Sequence, residues 1–316
     1  NKVARFFTSH LCYLASMSTG YIPCYLINEN GKCMHVHGGL DANGSSITIW
    51  EKKDNPGFHW HLIPDNKDKG YHLISSVLTE KLLRVEDEKA GNGAKIVQWV
   101  DSGISNAFKM MFIDSDKKGL WNIVNKVGGK CLHNHAVKDD NGNPVTLWEE
   151  TPNNPAFNWS IAPAVKPLEK VFLVNPNGKA ISIKGGENKN GAAVVLATKK
   201  NTDAFKWFIV PHEMDKGYFR IESAHTGKVL HNHGGSGANG NPMTTWDKTD
   251  PGSALKVRFG PTHRMGHYAI FFKDSGKVVS NTGGKTDNDN PITQWEYKPE
   301  NDAMIWKIEI APRWHT

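Results

Sequence analysis

The chain has 316 residues, 38% of them hydrophobic and 22% charged, enough apolar content for packed cores and too much for wholesale disorder. No run approaches the ~18 apolar residues that a membrane span needs, so a soluble protein without membrane insertion is expected. Lys and Arg exceed Asp and Glu by six; the excess is spread along the chain without a basic block, which argues for a solvated mixed-charge surface and against a nucleic-acid partner.

Residues 1–18 read as an N-terminal extension. Phe6, Phe7, Leu11 and Leu14 lie there without the layout of a signal peptide, and the compartment stays open. Cys12, Cys24, Cys33 and Cys131 are too few for a disulfide framework and lack zinc-finger spacing. Cys12 and Cys24 form one bridge if the chain is secreted and are otherwise free thiols. From Tyr21 onward the chain reads as strands and turns. Tyr21–Ile27 is a first strand, followed by a turn that ends in Gly31-Lys32. A second strand follows the lysine, and Asn43-Gly44 supplies the positive φ angle of a tight turn. Ile47–Trp50 is a third strand, and Phe58-His-Trp60-His-Leu62 alternates as a fourth.

This unit then repeats. Equivalent stretches start at Gly31, Glu80, Gly129, Gly178, Gly227 and Gly276, each 49 residues after the last. Lysine is second in all six, at Lys32, Lys81, Lys130, Lys179, Lys228 and Lys277. Asparagine stands at 43, 92, 141, 190, 239 and 288, followed by glycine except at Asp289. A tryptophan follows at Trp50, Trp99, Trp148, Trp246 and Trp295, with Ala197 the exception. A second aromatic comes at Trp60, Trp159, Trp207 and Trp306. Trp121–Val124 and Tyr218–Ile221 repeat the first strand, and no helical pattern of useful length occurs. Six such units predict an all-β protein. Either two tandem β-trefoils of three units each or a single six-bladed β-propeller accepts them. The stretch Ala162-Pro-Ala-Val-Lys-Pro167 breaks the pattern between units three and four and favours trefoils at 19–163 and 168–312, with 164–167 as linker.

The words Asn143-Pro-Val-Thr-Leu-Trp148 with Phe157-Asn-Trp159, and Asn290-Pro-Ile-Thr-Gln-Trp295 with Met304-Ile-Trp306, resemble the ricin-B-type lectin repeat. That resemblance implies a β-trefoil with the later tryptophan in the core and the earlier one as a sugar platform. Gly31-Lys-Cys-Met-His-Val-His-Gly-Gly39 and Gly227-Lys-Val-Leu-His-Asn-His-Gly-Gly235 resemble instead the galactose-binding β-trefoils of mussels, whose sites begin Gly-Lys-x-x-His-Pro-x-Gly-Gly. Gly129-Lys-Cys-Leu-His-Asn-His135 matches until Ala136 and Val137 replace the glycines. The ricin-type aspartate is replaced by His35, His133 and His231. The mussel His-x-Asp-x-His is replaced by Trp50-Glu-Lys-Lys-Asp54, Trp148-Glu-Glu-Thr-Pro152 and Trp246-Asp-Lys-Thr-Asp250.

A sugar site needs polar groups for adjacent hydroxyls, an aromatic face for the C–H patch and close backbone approach. The candidates are His35, His37, Gly38, Gly39, Trp50 and Asp54 in unit one. Unit three offers His133, His135, Trp148 and Glu149. Unit five offers His231, His233, Gly234, Gly235, Trp246, Asp247 and Asp250. The histidines vary among copies whose structural columns persist, which favours a site over a scaffold role; Arg84 and Ser182 hold their place in units two and four. The Trp column reads equally as platform or core, the Asn-Gly column as structural and the Lys column as a solvated turn. The His-x-His pairs lack a recurring third metal ligand, and no catalytic motif recurs, so neither cofactor nor enzyme activity is expected. The reading is a multivalent lectin for galactose or GalNAc-type glycans on glycoproteins or glycolipids. Its rivals are a glycan-independent histidine-rich trefoil and the binding subunit of a toxin or enzyme. If a neutral His35 or His231 accepts a hydroxyl proton, affinity falls from pH 7.5 to 5 over a scaffold that stays folded.

Overall fold

The structure is a computed structural model and describes residues 21–248 and 252–312. Unit one gives β1 (Cys24–Asn28), β2 (Cys33–Val36), β3 (Ile47–Trp50) and β4 (Trp60–Pro64). Unit two gives β5 (Tyr71–Ser76), β6 (Leu82–Val85), β7 (Ile96–Trp99) and β8 (Met110–Asp114). Unit three gives β9 (Trp121–Asn125), β10 (Cys131–Asn134), β11 (Val145–Trp148) and β12 (Trp159–Pro163). The first strand starts later than its sequence suggests because Pro23 has no N–H to give a ladder. Phe58 likewise falls in a three-residue 3₁₀ turn before β4, held by Asn55, whose side chain accepts the Gly57 N–H. Among the described residues such short turns are the only helical pieces, and no helix is long and apolar enough to cross a membrane.

The outer strands of each unit close a barrel. β1 pairs with β4, β4 with β5, β5 with β8, β8 with β9, β9 with β12, and β12 returns to β1 with Cys24 opposite Pro163 and Asn28 opposite Trp159. The hairpins β2–β3, β6–β7 and β10–β11 make a threefold cap over one end. Units four to six repeat this with β13 (Val171–Val174) through β24 (Trp306–Ile310), whose own barrel closes where β24 pairs with β13. Closure after three units makes two β-trefoils and excludes a six-bladed ring. Trp60, Trp159, Trp207 and Trp306 are fully buried. Each indole N–H donates to the backbone of its own unit's second strand, at Met34, Leu132, Ile181 and Val279. Truncating any one would cost about 3–5 kcal/mol.

Two trefoils do not simply hang on a linker here. Trp121 Nε1 donates to Phe259 O at 3.0 Å, Tyr268 Oη to Ile22 O at 2.9 Å and His72 Nε2 to Thr262 O at 3.0 Å. A Cβ on Gly119 would stand 2.2 Å from the Tyr218 ring, so the barrels meet too closely there for any side chain.

Within each cap the units are sewn together. The turn asparagine of one unit accepts the N–H that follows the third strand of its neighbour: Asn43 from Val100, Asn92 from Glu149, Asn141 from Glu51, Asn239 from Glu296 and Asn288 from Thr198. The next residue, at positive φ, donates its N–H to that same strand, as Gly44 does to Gln98 and Asp289 to Leu196. At Gly44, Gly93, Gly142, Gly191 and Gly240 a Cβ would touch the ring of Trp99, Trp148, Trp50, Trp246 or Trp295. The sixth turn carries Asp289, and it faces the strand that ends in Ala197. The two exceptions in the repeat are therefore one contact.

Four members of the lysine column, Lys32, Lys81, Lys179 and Lys228, also reach a neighbouring unit, while Lys130 and Lys277 pair with Glu149 and Glu296 of their own. Lys32 and Lys179 donate to Asn141 and Asn288 of neighbouring units at 2.9 and 2.7 Å. Lys228 donates to Asn190 at 2.9 Å and to Asp247 of its own unit at 2.6 Å.

Candidate functional site

The second strand of each unit turns its third residue toward the end of the third strand, because antiparallel register sets His35 opposite Thr48, His133 opposite Thr146 and His231 opposite Thr244. The second histidine of each word, His37, His135 or His233, opens a 3₁₀ turn whose next two residues both lie at positive φ. Glycine suits that geometry at Gly38-Gly39 and Gly234-Gly235. Unit three forces Ala136 (φ 53°) and Val137 (φ 58°) into it, and a β-branched residue there is strained. Val137→Gly is expected to stabilise the protein by about 1 kcal/mol or more, read as a higher urea midpoint; an unchanged midpoint would deny the strain.

Unit five builds a cleft of about 420 Å³ lined by His231, His233, Gly234, Gly235, Trp246, Ser253 and Asp274. The His231 ring is buried, 3.1 Å from Thr244 Oγ1 through Nδ1, and its centroid lies 5.1 Å from that of Trp246. Asp274 comes from the β21–β22 turn of unit six, where β21 is His267–Phe272 and β22 is Val278–Asn281. Its Oδ1 accepts the Ser275 N–H and its Oδ2 accepts Asn232 Nδ2 at 2.8 Å. Asn232 in turn is clamped by Asn241, which also donates to the His233 carbonyl. The same asparagine clamp, Asn134–Asn143 and Asn281–Asn290, holds the turn in units three and six.

The other histidines sit differently. His35 stacks on Phe58 at 4.5 Å with Trp50 at 5.7 Å, and His133 lies between Phe157 at 4.7 Å and Trp148 at 5.7 Å. In unit two the Arg84 guanidinium occupies that sandwich, 5.0 Å from Trp99 and 5.2 Å from Phe108. Packing between two rings is thus part of what this position does. Burial pushes His35 down to about 4, helped by His37 and Lys53, and burial with His135 pushes His133 down to about 4. Either ring stays neutral across the pH 7.5–5 window expected from a free imidazole.

The carboxylates after the tryptophans are drawn elsewhere. Glu149 is held by Lys130 at 2.6 Å and Asp247 by Lys228 and Asn190. Asp54 faces Tyr25, His59 and Lys166. Asp250 lies outside the described residues, as does Cys12. Cys24, Cys33 and Cys131 are buried, and burial raises Cys33 and Cys131 to about 12. Among the described residues no three His, Cys, Asp or Glu side chains gather as a metal site would require.

A family profile described as ricin-type beta-trefoil lectin domain-like matches residues 18–99, 107–197 and 169–246. No curated protein matches the chain. Among solved structures, a designed threefold-symmetric protein, ThreeFoil, is 21% identical, with a TM-score of 0.42 over 44% of this chain and 97% of its own. An agglutinin from Abrus precatorius is 16% identical, with a TM-score of 0.36 over 93% of this chain and 98% of its own. A mosquitocidal holotoxin is also 16% identical, with a TM-score of 0.41 over 92% of this chain, which spans 34% of the toxin.

Proposed function

We propose, from the premise that this chain belongs to the ricin-type β-trefoil lectin-like family, that it is a non-catalytic lectin for galactose or GalNAc-type glycans, with unit five as its principal site. The observation that carries this reading is the one cleft that Asp274, His231 and Trp246 line together. A carboxylate accepts from two adjacent hydroxyls, an imidazole adds a directed polar contact and the indole offers a face to the apolar side of a pyranose. Units one and three, with His35, His37, Trp50, His133, His135 and Trp148, are secondary sites of the same type. Weak single sites on one rigid pair of trefoils, divided at 19–163 and 168–312 with 164–167 between them, gain by multivalency on glycoprotein or glycolipid surfaces.

A glycan array read with and without EDTA tests the proposal. Retention of galactose- and GalNAc-terminated glycans, indifferent to EDTA, is expected. Loss of all glycan signal, or its dependence on a divalent ion, would defeat it.

A further inference from the structure

We infer that unit four carries a second kind of saccharide site, selective for a sulfated or carboxylated sugar; the inference rests on the reading of the chain as a lectin. Unit four has the frame of unit five with its chemistry reversed. Where unit five has His231, His233, Trp246 and Asp274, unit four has Ser182, Lys184, Ala197 and His225, each 49 residues earlier. The missing indole leaves a cleft of about 610 Å³, larger than that of unit five, lined by Ser182, Lys184, Ala197, Lys200 and His225.

The wall facing the second-strand turn changes from carboxylate to imidazole. His225 Nε2 donates to the Gly186 carbonyl at 3.0 Å, which fixes the ring over the glycine turn as Asp274 is fixed beside Gly235. Two exposed ammoniums, Lys184 and Lys200, border the opening. Two carboxylates also line it. Asp203 is neutralised by Lys170 at 2.9 Å and Lys206 at 3.4 Å, and Asp289 is the turn residue that replaces glycine. A cleft bordered by two exposed ammonium donors suits a ligand rich in acceptors, and charge-assisted hydrogen bonds to a sulfate or carboxylate are the strong ones. The serine beneath and the vacated indole space leave room for the ring that carries the charge.

Calorimetric titration of the full chain with lactose, lactose 3′-sulfate and sodium sulfate tests this. The sulfated sugar is expected to fill one site more than lactose does. The double variant Lys184→Ala/Lys200→Ala should weaken that extra site at least about tenfold and leave the lactose isotherm unchanged, while Asp289→Asn should tighten it. Equal stoichiometry for both sugars, an extra site insensitive to the lysines, or sodium sulfate competing as well as the sulfated sugar would overturn the inference. Lactose binding without the extra site leaves the lectin reading standing and sinks this one. Lysine-dependent binding of the sulfated sugar without any lactose binding keeps this site and defeats the galactose assignment of unit five.

Discussion

Melting temperature is expected to fall by about 10 °C as pH drops from 6.5 to 4. Burial holds His35, His61 and His133 at about 4, with neighbouring His59 adding to the effect on His61; burial also lowers His59, His72, His212 and His267. An unfolded histidine takes its proton near ~6.5. Between 6.5 and 4 the unfolded chain therefore binds more protons than the folded one, so stability present above pH 6.5 is lost as pH falls toward 4. At half weight, to allow for their partial contact with solvent, the first three histidines alone amount to about 5 kcal/mol. At about 2 °C per kcal/mol, the lower end of the range for a protein of this size, that gives the expected drop. Asp68 and Asp215, held at about 2 chiefly by hydrogen bonds from Lys109 and Lys126 and from Lys256 and Lys273, add loss of the same sign at still lower pH. Thermal melts by far-UV circular dichroism at pH 7.5, 6.5, 5.5, 4.5 and 4 check this, and a flat series would refute it. Repeat columns alone predict a scaffold indifferent to mild acid, because units without the His-x-His word keep every structural column. Burial of the histidines between aromatic rings reverses that expectation.

Asp274→Asn is expected to weaken galactoside binding at unit five by roughly tenfold to a hundredfold, the range for losing a hydrogen bond to a charged group. The substitution keeps an acceptor for the Ser275 N–H, removes the charge that faces the cleft and sets an amide N–H against Asn232 Nδ2, so a modest fall in melting temperature should accompany the lost affinity. His231→Ala should remove the same site from the calorimetric stoichiometry without affecting units one and three. Full affinity and full stoichiometry in both variants would return this cleft to a purely structural role.

The fold was legible because its columns are chemical constants. The 49-residue period runs through all six units, the Asn-Gly turns through five and the buried tryptophans through four, each for one physical reason. The number of units per barrel followed from the break at Ala162–Pro167. Asp274 was not legible, because it belongs to a column without a theme: Glu29, Leu78, Val127, Pro176, His225 and Asp274 occupy it. Comparison of repeats discards such a position as noise. In the fold it faces the neighbouring unit's glycine turn, at Leu78 beside Gly39, His225 beside Gly186 and Asp274 beside Gly235. Glu149 and Asp247 show the opposite case, since an acid next to a tryptophan reads as a ligand group, and only the fold shows that a lysine at the start of the adjacent strand pairs with it.

The pairing of each turn glycine with the tryptophan of the next unit also bears on how such an array diverges. A copy that loses its indole frees a turn that belongs to the copy beside it, as Ala197 and Asp289 record. Restoring tryptophan at 197 alone would set an indole against the carboxylate side chain of Asp289, whereas restoring it with Asp289→Gly would recreate the contact made five times elsewhere. Mutations at the two positions are thus epistatic although they lie in different repeats. The module that varies as a whole is the seam between two repeats, and a drifting lineage would exchange seams rather than copies.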